Sequence, residues 1–161
     1  MLIKKIKIIC FDFDGVFTDN KVLIDENGKE SVTCSRFDGI GLRLLDDLNI
    51  KSYIISTEPN NVVHERAKKL KIECFNNCKD KVKKIKEIIR KLDLTLSEVC
   101  FVGNDINDIL ALKAVGLPII VNDAHNDLLN QKFYSTSTNG GQGVVREICD
   151  HFYKSNDASW I

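Results

Sequence analysis

The sequence has no excess of charge of either sign and no long apolar run. Lys plus Arg and Asp plus Glu each number 23, so net charge gives no argument for a nucleic acid partner or an anionic membrane surface. No stretch approaches the roughly 18 consecutive apolar residues that a membrane-spanning helix needs. The first ten residues are apolar and weakly basic, but lysines interrupt them, so they lack the continuous apolar region of a signal peptide. We therefore expect a cytoplasmic protein.

Patterns typical of zinc sites, disulfide frameworks and dinucleotide-binding loops are also missing. The six cysteines include no CxxC pair, and the three histidines are far apart in the sequence, so we expect reduced, structural thiols and no zinc site. Cys10 and Cys100 lie inside apolar runs, where cysteine behaves as a small hydrophobic residue. The segment NGGQG at 139–143 lacks the spacing of a dinucleotide loop. Its glycines are instead expected to allow close approach of backbone segments near a functional site or an interface.

Short apolar strands and amphipathic helices alternate along the chain. With 161 residues, 43% hydrophobic and 29% charged, the chain is expected to form a single domain over residues 1–154, followed by a tail at 155–161. The alternation predicts an α/β fold: a three-layer, Rossmann-like architecture with a parallel central sheet whose first strand covers 6–13. Asn27 and Gly28 lie between two alternating segments and predict a β-hairpin after that strand.

Polar side chains follow the ends of the predicted strands. Asp12 and Asp14 end the first strand two residues apart, so their carboxylates should lie side by side on one face. Burying an unpaired charge is costly, so this pair needs a partner. The polar residues that end or follow the other strands are Ser56, Lys81, Asn104, Asp105 and Asp108. Because the carboxyl ends of parallel strands meet at one edge of the sheet, we expect an oxygen-rich pocket suited to Mg²⁺.

This set of groups is suited to phosphoryl transfer. A hydroxyl and an ammonium group can bind phosphate oxygens, and a metal ion can stabilise the charge of a transferring phosphoryl group. One carboxylate can attack phosphorus to form an aspartyl-phosphate while its neighbour handles the proton. The pattern therefore predicts a phosphatase.

Four motifs resemble those of the haloacid dehalogenase superfamily of phosphatases. DFDGVFTD (12–19) is similar to the first motif, D-x-D-G-V-x-T-D, and IIS (54–56), KDK (79–81) and VGNDINDILAL (102–112) are similar to the other three in order and spacing. The segments ENGKE, RFDGIGLRLL, ERAKKLKI, VGLPIIVNDA and NGGQGVVREICD resemble a capless branch of the superfamily. That branch dephosphorylates keto-deoxy sugar acid phosphates, including octulosonate 8-phosphate and nonulosonate (sialic acid or KDN) 9-phosphates. The likeness covers about residues 6–150.

The resemblance implies a role for each of the four motif residues. Asp12 would be the nucleophile and Asp14 the general acid and base. Ser56 and Lys81 would hold the phosphoryl group. Capping of the following helix is a compatible alternative role for the Ser56 hydroxyl.

The resemblance also implies a Mg²⁺ site formed by Asp12, the backbone carbonyl of Asp14, and Asn104 or Asp105. Octulosonate phosphatases usually begin the fourth motif with G-D-D, so Asn104 replaces a ligating aspartate. Its amide oxygen can still bind Mg²⁺, and Asp105 is the alternative ligand. A similar G-N opening occurs in modules attached to some CMP-sialate synthetases. A weakly active or inactive oligomerisation module partnering such a synthetase is therefore the alternative function.

The expected substrate is a small phosphorylated sugar acid. Octulosonate enzymes typically read T-G-R after the second strand, where this chain reads Ser56-Thr57-Glu58. Glu58 together with Lys69 resembles the nonulosonate 9-phosphate enzymes. Arg66 matches a family arginine suited to a substrate carboxylate across a subunit interface. A nine-carbon acid is favoured, with octulosonate 8-phosphate next, and ordinary ion pairs on a helix surface are the alternative for Glu58, Arg66 and Lys69.

The branch lacks a cap domain, which implies that neighbouring subunits of a homotetramer close the site. The hairpin at 20–34 would contribute to that assembly. A receiver domain also combines an acidic pocket with a hydroxyl residue and a lysine. Receivers place the phosphorylated aspartate after their third strand, whereas the candidate here follows the first, which disfavours that class.

Overall fold

The apolar run near the N-terminus forms the central strand of the sheet. Ile8–Phe11 form β1, and each of these four side chains is at most 1% exposed. A strand buried on both faces needs apolar residues at every position, which explains why this run does not alternate with polar residues. The computed structural model describes residues 2–156.

Strands and helices alternate along most of the described chain. The strands are β1 (Ile8–Phe11), β2 (Leu23–Ile24), β3 (Glu30–Ser31), β4 (Lys51–Ile55), β5 (Glu73–Phe75), β6 (Val99–Gly103), β7 (Leu117–Ile120) and β8 (Tyr134–Ser135). The α-helices are α1 (Phe37–Asp47), α2 (Val62–Leu70), α3 (Lys81–Leu92), α4 (Ile109–Ala114), α5 (Asn126–Leu129) and α6 (Val144–Asn156). Short 3-10 helices cover Leu2–Lys5, Leu96–Glu98 and Ile106–Asp108.

β1 lies inside a six-stranded sheet with the order β5-β4-β1-β6-β7-β8. All of its strands pair in parallel, and Phe11 is level with Ile54 of β4 and with Val102 of β6. The chain builds one half of the sheet through β4 and β5 and the other half through β6, β7 and β8. The carboxyl end of β1 is therefore the point where the strand order reverses, which is where open α/β sheets bind ligands.

The predicted hairpin forms a separate two-stranded sheet after β1. Leu23 of β2 pairs with Ser31 of β3 in antiparallel register. Asp25 Oδ1 accepts from the backbone N–H groups of Asn27 (2.9 Å) and Lys29 (2.8 Å), which holds the turn. Helices cover both sides of the main sheet; α1 packs along α6, and α3 packs along α4. Within residues 2–156, no helix is long and apolar enough to cross a membrane.

The predicted fold class is confirmed: a parallel central sheet between helical layers, with a hairpin after the first strand. The last strand, β8, is only two residues long and carries no pattern that a sequence can reveal, so the sequence does not predict it. The C-terminal tail at 155–161 stays a prediction, and its first two residues overlap the last helix. α6 continues through Asn156, and the rest of that segment lies outside the described residues.

Candidate active site

Asp12 lies directly after β1, at the carboxyl edge of the sheet. Its backbone N–H donates to the Val102 carbonyl (2.9 Å), so the pairing with β6 continues through this residue. The residue is 4% exposed. Its Oδ1 accepts from the Phe13 N–H at 2.7 Å and lies 2.9 Å from Lys81 Nζ. Burial and the charge of Asp108 raise the pKa of Asp12 to about 7, against the opposing effect of Lys81.

Lys81 is the buried cation that partners this carboxylate. α3 begins at Lys81, and the N-cap residue Asp80 accepts from the Lys83 N–H at 2.8 Å. This start directs Lys81 into the site, whereas Lys83 is exposed. Lys81 Nζ also lies 2.7 Å from Asp108 Oδ1. Burial lowers the pKa of Lys81, but Asp12 and Asp108 raise it more, so the side chain remains an ammonium ion.

Asp108 is the second carboxylate that contacts Lys81. The residue is fully buried at the end of a 3-10 helix. Its Oδ1 contacts Lys81, and its Oδ2 accepts from the backbone N–H groups of Asn104 (3.0 Å) and Asp105 (3.4 Å). Sequence reasoning placed Asp108 at a strand end but assigned it no role. Asp108 follows Asp105 by three residues, a spacing typical of a capping box, and this spacing is the sequence signal that could have indicated its structural role.

Asp14 is half-buried and lies on a tight loop stabilised by Thr18. Thr18 Oγ1 lies 3.5 Å from Asp14 Oδ1 and accepts from the backbone N–H groups of Gly15 and Asn20, each at 3.2 Å. Burial and the charge of Glu58 raise the pKa of Asp14. Gly15 has a φ of +73° and packs against the Asn104 side chain, so a side chain at position 15 would strike it. A left-handed conformation and close contact both require glycine here.

The glycine-rich segment NGGQG, before α6, packs against the backbone of this loop. The sequence predicts such a close approach of backbone segments for these glycines. A Cβ at Gly140 would strike the Gly15 carbonyl, and one at Gly141 would strike the backbone of Thr18 and Asp19. The Gly141 N–H donates to the Val16 carbonyl at 2.9 Å. The absence of side chains therefore allows the two backbone segments to pack directly together.

A small polar cavity of about 200 Å³ lies above the end of β1. The residues that line it are Asp12, Asp14, Asn20, Thr57, Asn104, Asp105, Ile106 and Asn107. Four predicted site residues, Asp12, Asp14, Asn104 and Asp105, therefore line one cavity. Lys81 does not line it but contacts Asp12, which does. Asn104 is 7% exposed. Asp105 is less buried, and its Oδ1 accepts from the Ile106 N–H at 2.6 Å.

Ser56 and Glu58 lie on the loop after β4, at the same edge of the sheet. Ser56 is buried, and its Oγ accepts from the Glu58 N–H at 3.1 Å. α2 begins only at Val62, so this hydroxyl stabilises the loop and does not cap the helix. Glu58 is half-buried and its Oε1 accepts from the Asn60 N–H at 2.8 Å. Its charge raises the pKa of Asp14, although Glu58 does not itself line the cavity.

Arg66 and Lys69 do not line the cavity. Arg66 Nη2 donates to the Ser35 carbonyl at 2.7 Å, joining α2 to the segment that follows the hairpin. Beside it lies Asp38, which is fully buried in the first turn of α1 and which sequence reasoning missed. Burial raises the pKa of Asp38 to about 7, and the charge of Arg66 opposes that shift. Lys69 is exposed on α2. The substrate-binding roles of Arg66 and Lys69 stay predictions.

The cavity's donor set fits a hard divalent cation. Asp12, Asp14 and Asp105 offer carboxylate oxygens and Asn104 offers an amide oxygen, the ligand types that Mg²⁺ prefers. Carboxylates outnumber the single buried ammonium, and the raised pKa values of Asp12 and Asp14 reflect that imbalance together with burial. These three carboxylates line one cavity but do not form a ready-made metal cluster, since within the described range no group of three His, Cys, Asp or Glu side chains is placed to hold a metal ion. Amide, main-chain or water oxygens would therefore complete the coordination.

Comparison with known proteins identifies the family. The family model of the haloacid dehalogenase-like hydrolases matches residues 37–148. The chain is 32% identical over 148 residues to 3-deoxy-D-manno-octulosonate 8-phosphate phosphatase of Salmonella typhi, which covers 91% of this chain and 79% of the relative.

Solved structures of related proteins superpose closely on this fold. The 3-deoxy-D-manno-octulosonate 8-phosphate phosphatase of Yersinia pestis has a TM-score of 0.92 at 30% identity, covering 97% of this chain and 85% of that one. The corresponding phosphatase of Moraxella catarrhalis, in complex with magnesium, phosphate and KDO, has a TM-score of 0.89 at 29% identity, covering 96% and 89%. These similarities confirm the predicted family, fold and phosphatase class. The chain belongs to the haloacid dehalogenase-like hydrolase family and, within it, to the capless branch that resembles the octulosonate 8-phosphate phosphatases.

Proposed function

We propose that this chain hydrolyses the phosphomonoester of a keto-deoxy sugar acid through an aspartyl-phosphate on Asp12. The observation that carries the proposal is the buried contact of 2.9 Å between Lys81 Nζ and Asp12 Oδ1, below a polar cavity that Asp14 also lines. The names of the octulosonate 8-phosphate phosphatases to which the chain is similar support the substrate class.

Asp12 is the proposed nucleophile because its position is fixed at the base of the cavity. Lys81 and the Phe13 N–H both bind Oδ1, which leaves Oδ2 for attack on phosphorus. The new bond joins Oδ2 to phosphorus, and the bond from phosphorus to the ester oxygen breaks. Water then attacks the aspartyl-phosphate, releases phosphate and restores the Asp12 carboxylate.

Asp14 is the proposed proton donor and acceptor. It lies two residues after the nucleophile and lines the same cavity. In the first step its carboxyl group protonates the leaving alcohol oxygen. In the second step the resulting carboxylate takes a proton from the attacking water. The Thr18 contact at 3.5 Å and the close packing around Gly15 hold the loop that carries this group.

The remaining phosphate contacts are assigned to Lys81 and Ser56. Lys81 supplies a fixed positive charge at the base of the cavity, and the Ser56 hydroxyl supplies a hydrogen-bond donor from the adjacent strand end. Asp12, the Asp14 carbonyl, Asn104 and Asp105 are the proposed Mg²⁺ ligands. When bound there, Mg²⁺ would neutralise the buried carboxylates and stabilise charge on the transferring phosphoryl group.

Among keto-deoxy acids we favour a nonulosonate 9-phosphate over octulosonate 8-phosphate. Glu58 supports this choice because it is half-buried on the loop after β4 and its charge acts on Asp14, so its carboxylate is a candidate acceptor for hydrogen bonds from sugar hydroxyls. Lys69 and Arg66 are proposed to contact the acid end of the substrate. Both lie outside the cavity of one subunit, which agrees with recognition in an assembled enzyme.

The assembly is proposed to be a homotetramer in which the hairpin contacts neighbouring subunits. Val22, Leu23 and Ile24 are 48%, 73% and 59% exposed. Three consecutive exposed apolar side chains, two of them in β2, are suited to burial against another chain.

The first experiment measures phosphate release with Mg²⁺ from octulosonate 8-phosphate and from nonulosonate 9-phosphates. Wild type is compared with Asp12→Asn, which keeps the size of the side chain and removes the nucleophile. Release that needs both Mg²⁺ and Asp12 supports the proposal. A folded oligomer that releases no phosphate from any of these esters would overturn it and favour the oligomerisation module.

The substrate preference is tested separately with Glu58→Arg. The expected result is a shift in relative kcat/KM away from the nonulosonate 9-phosphate and toward octulosonate 8-phosphate. Equal substrate ratios in wild type and variant would show that Glu58 does not determine selectivity.

A further inference from the structure

Three neutral polar side chains surround the mouth of the cavity. Asn20, Thr57 and Asn107 all line it, and each is exposed to solvent. They come from three different segments, which follow β1, β4 and β6 respectively, and Asn107 lies in the 3-10 helix Ile106–Asp108. We call these three residues the polar rim. The rim contrasts with the floor below it, where the carboxylates of Asp12 and Asp14 are found.

One contact links the Asn20 backbone to the floor, and another links the other two rim residues to each other. The Asn20 N–H donates to Thr18 Oγ1 at 3.2 Å, and the same oxygen lies 3.5 Å from Asp14 Oδ1. Asn20 has a φ of +62°, a left-handed conformation that asparagine tolerates better than most residues. Asn107 Nδ2 donates to Thr57 Oγ1 at 3.4 Å, a contact between the loops on either side of β1.

We propose that the polar rim binds the hydroxyl groups of the leaving alcohol, next to the phosphorylated carbon. The inference rests on the proposed phosphatase activity and adds the residues that recognise the alcohol part of the substrate. In an in-line attack by Asp12, the ester oxygen lies on the side of phosphorus away from Asp12, so the alcohol is directed toward the solvent-exposed lining residues Asn20, Thr57 and Asn107. Carboxamide and hydroxyl groups provide both donors and acceptors without charge. This is the chemistry that a chain of neighbouring hydroxyl groups requires.

The same geometry disfavours alcohols that lack hydroxyl groups. An aromatic or aliphatic leaving group would cover the rim amides without replacing their hydrogen bonds to water, which costs binding energy. Ile106, 56% exposed at the same mouth, offers an apolar surface for the carbon side of the alcohol. The rim therefore selects polyhydroxylated esters, while the floor acts on phosphate itself.

The test compares leaving groups with and without hydroxyls. The variants Asn20→Gly, Thr57→Val and Asn107→Leu are assayed with octulosonate 8-phosphate, a nonulosonate 9-phosphate, sorbitol 6-phosphate and p-nitrophenyl phosphate. Glycine at position 20 keeps the left-handed backbone while removing the amide, and valine matches threonine in shape. We expect kcat/KM for the best polyol ester to fall about tenfold per variant, the value of one lost hydrogen bond. Turnover of p-nitrophenyl phosphate should not fall, since that ester makes no such bond, and it should rise where the variant removes a polar group that this ester would otherwise desolvate.

Two controls separate recognition from structural damage. Thr57→Ser keeps the hydroxyl and should retain the preference for polyol esters. Asn130→Leu makes the same change as Asn107→Leu at an exposed position after α5. It should change neither the turnover of the polyol esters nor that of p-nitrophenyl phosphate. Equal losses on all esters, or no loss on any, would overturn the role of the rim.

The substrate panel also distinguishes this proposal from the proposed substrate class. Wild type that hydrolyses sorbitol 6-phosphate but neither sugar acid phosphate would refute the sugar acid assignment. The rim variants would then be compared on sorbitol 6-phosphate and p-nitrophenyl phosphate. A selective loss on the polyol ester supports the rim proposal, and a parallel loss refutes it.

Discussion

Lys81 Nζ lies 2.7 Å from Asp108 Oδ1, closer than its distance of 2.9 Å from Asp12. The ammonium ion is thus shared between the proposed nucleophile and a carboxylate that is completely buried. Asp108 also binds the backbone N–H groups of Asn104 and Asp105. One side chain therefore positions both the buried cation and the loop that carries two proposed metal ligands.

Removing Lys81 should strongly destabilise the protein. In Lys81→Met, Asp12 and Asp108 would be left as buried carboxylates without a cation, and breaking a buried ion pair in this way typically costs about 3–5 kcal/mol. The double variant Lys81→Met with Asp108→Asn should lose less than the sum of the two single variants, because it buries one charge fewer. Urea unfolding of all four proteins measures this coupling.

A matched control for Lys81 lies one turn further along α3. Lys84 Nζ lies 2.6 Å from Glu87 Oε2, but both side chains are partly exposed. Solvent screens such pairs, so Lys84→Met should cost far less stability than Lys81→Met. Equal losses would show that burial of the Lys81 cluster is energetically unimportant.

Gly15→Ala should reduce both stability and activity. The left-handed backbone alone costs a non-glycine residue about 1–2 kcal/mol, and the new Cβ would also displace Asn104. Gly28→Ala is the control, since Gly28 has a φ of +77° but a Cβ added there would have no neighbouring atom within 4 Å. Thermal unfolding should show a larger loss at position 15, and phosphate release should fall only there. Equal losses of stability at both positions would contradict this prediction, because they would show that the contact with Asn104 does not affect stability.

The buried carboxyl group of Asp38 should make stability depend on pH. Its pKa in the folded state is raised to about 7 by burial, whereas the unfolded chain titrates near pH 4. Between those values the folded protein retains a proton that the unfolded chain has lost, so the free energy of unfolding falls as pH rises through this window. Asp38→Asn removes that dependence and should stabilise the protein relative to wild type by about 1–3 kcal/mol at pH 8.

Unfolding curves at pH 4.5 and pH 8 test the Asp38 prediction. The advantage of Asp38→Asn should nearly disappear at pH 4.5, where the wild-type carboxyl group is also neutral. Asp46→Asn changes an exposed carboxylate on the same helix and serves as the control. A difference between Asp38→Asn and wild type that is the same at both pH values contradicts the prediction.

Placing a charge on the hairpin should disrupt the proposed assembly. Leu23 is 73% exposed in β2, so Leu23→Asp should leave the subunit folded while introducing an unpaired charge into a buried interface. Light scattering coupled to size exclusion should report a smaller particle, and activity on sugar acid phosphates should fall with it. Leu129→Asp, at a site 44% exposed on α5, is the control. An unchanged mass for Leu23→Asp would exclude the hairpin from the interface.

Much of the fold was predictable because it depends on local patterns. The unbroken apolar run of β1, the alternation of strands with amphipathic helices, and the turn at Asn27 and Gly28 each reflect short-range backbone and burial preferences. The strand β8 was missed because two residues carry no periodicity. The continuation of α6 into the expected tail was missed because polar residues such as Ser155 are compatible with both a helix end and a loop.

The candidate site was predictable in composition but not in arrangement. Asp12 and Asp14 could be identified because their positions follow from a single strand end, and motif order identified Lys81 among the neighbouring lysines. The buried state of Asp38 and the role of Asp108 had no comparable local signal. Whether an aspartate on a helix faces solvent or a buried cation depends on what packs against that helix.

By itself, the sequence determined a parallel α/β sheet with two carboxylates at the end of its central strand, because strand periodicity and burial are local properties of the chain. Only the tertiary structure decided that Lys81 lies between Asp12 and Asp108, and that Asn20, Thr57 and Asn107 meet around one cavity. These residues come from separate segments of the chain. The distances between these residues depend on the parallel register of β4, β1 and β6 and on the direction in which each helix presents its first residue. No single segment of the sequence contains that information.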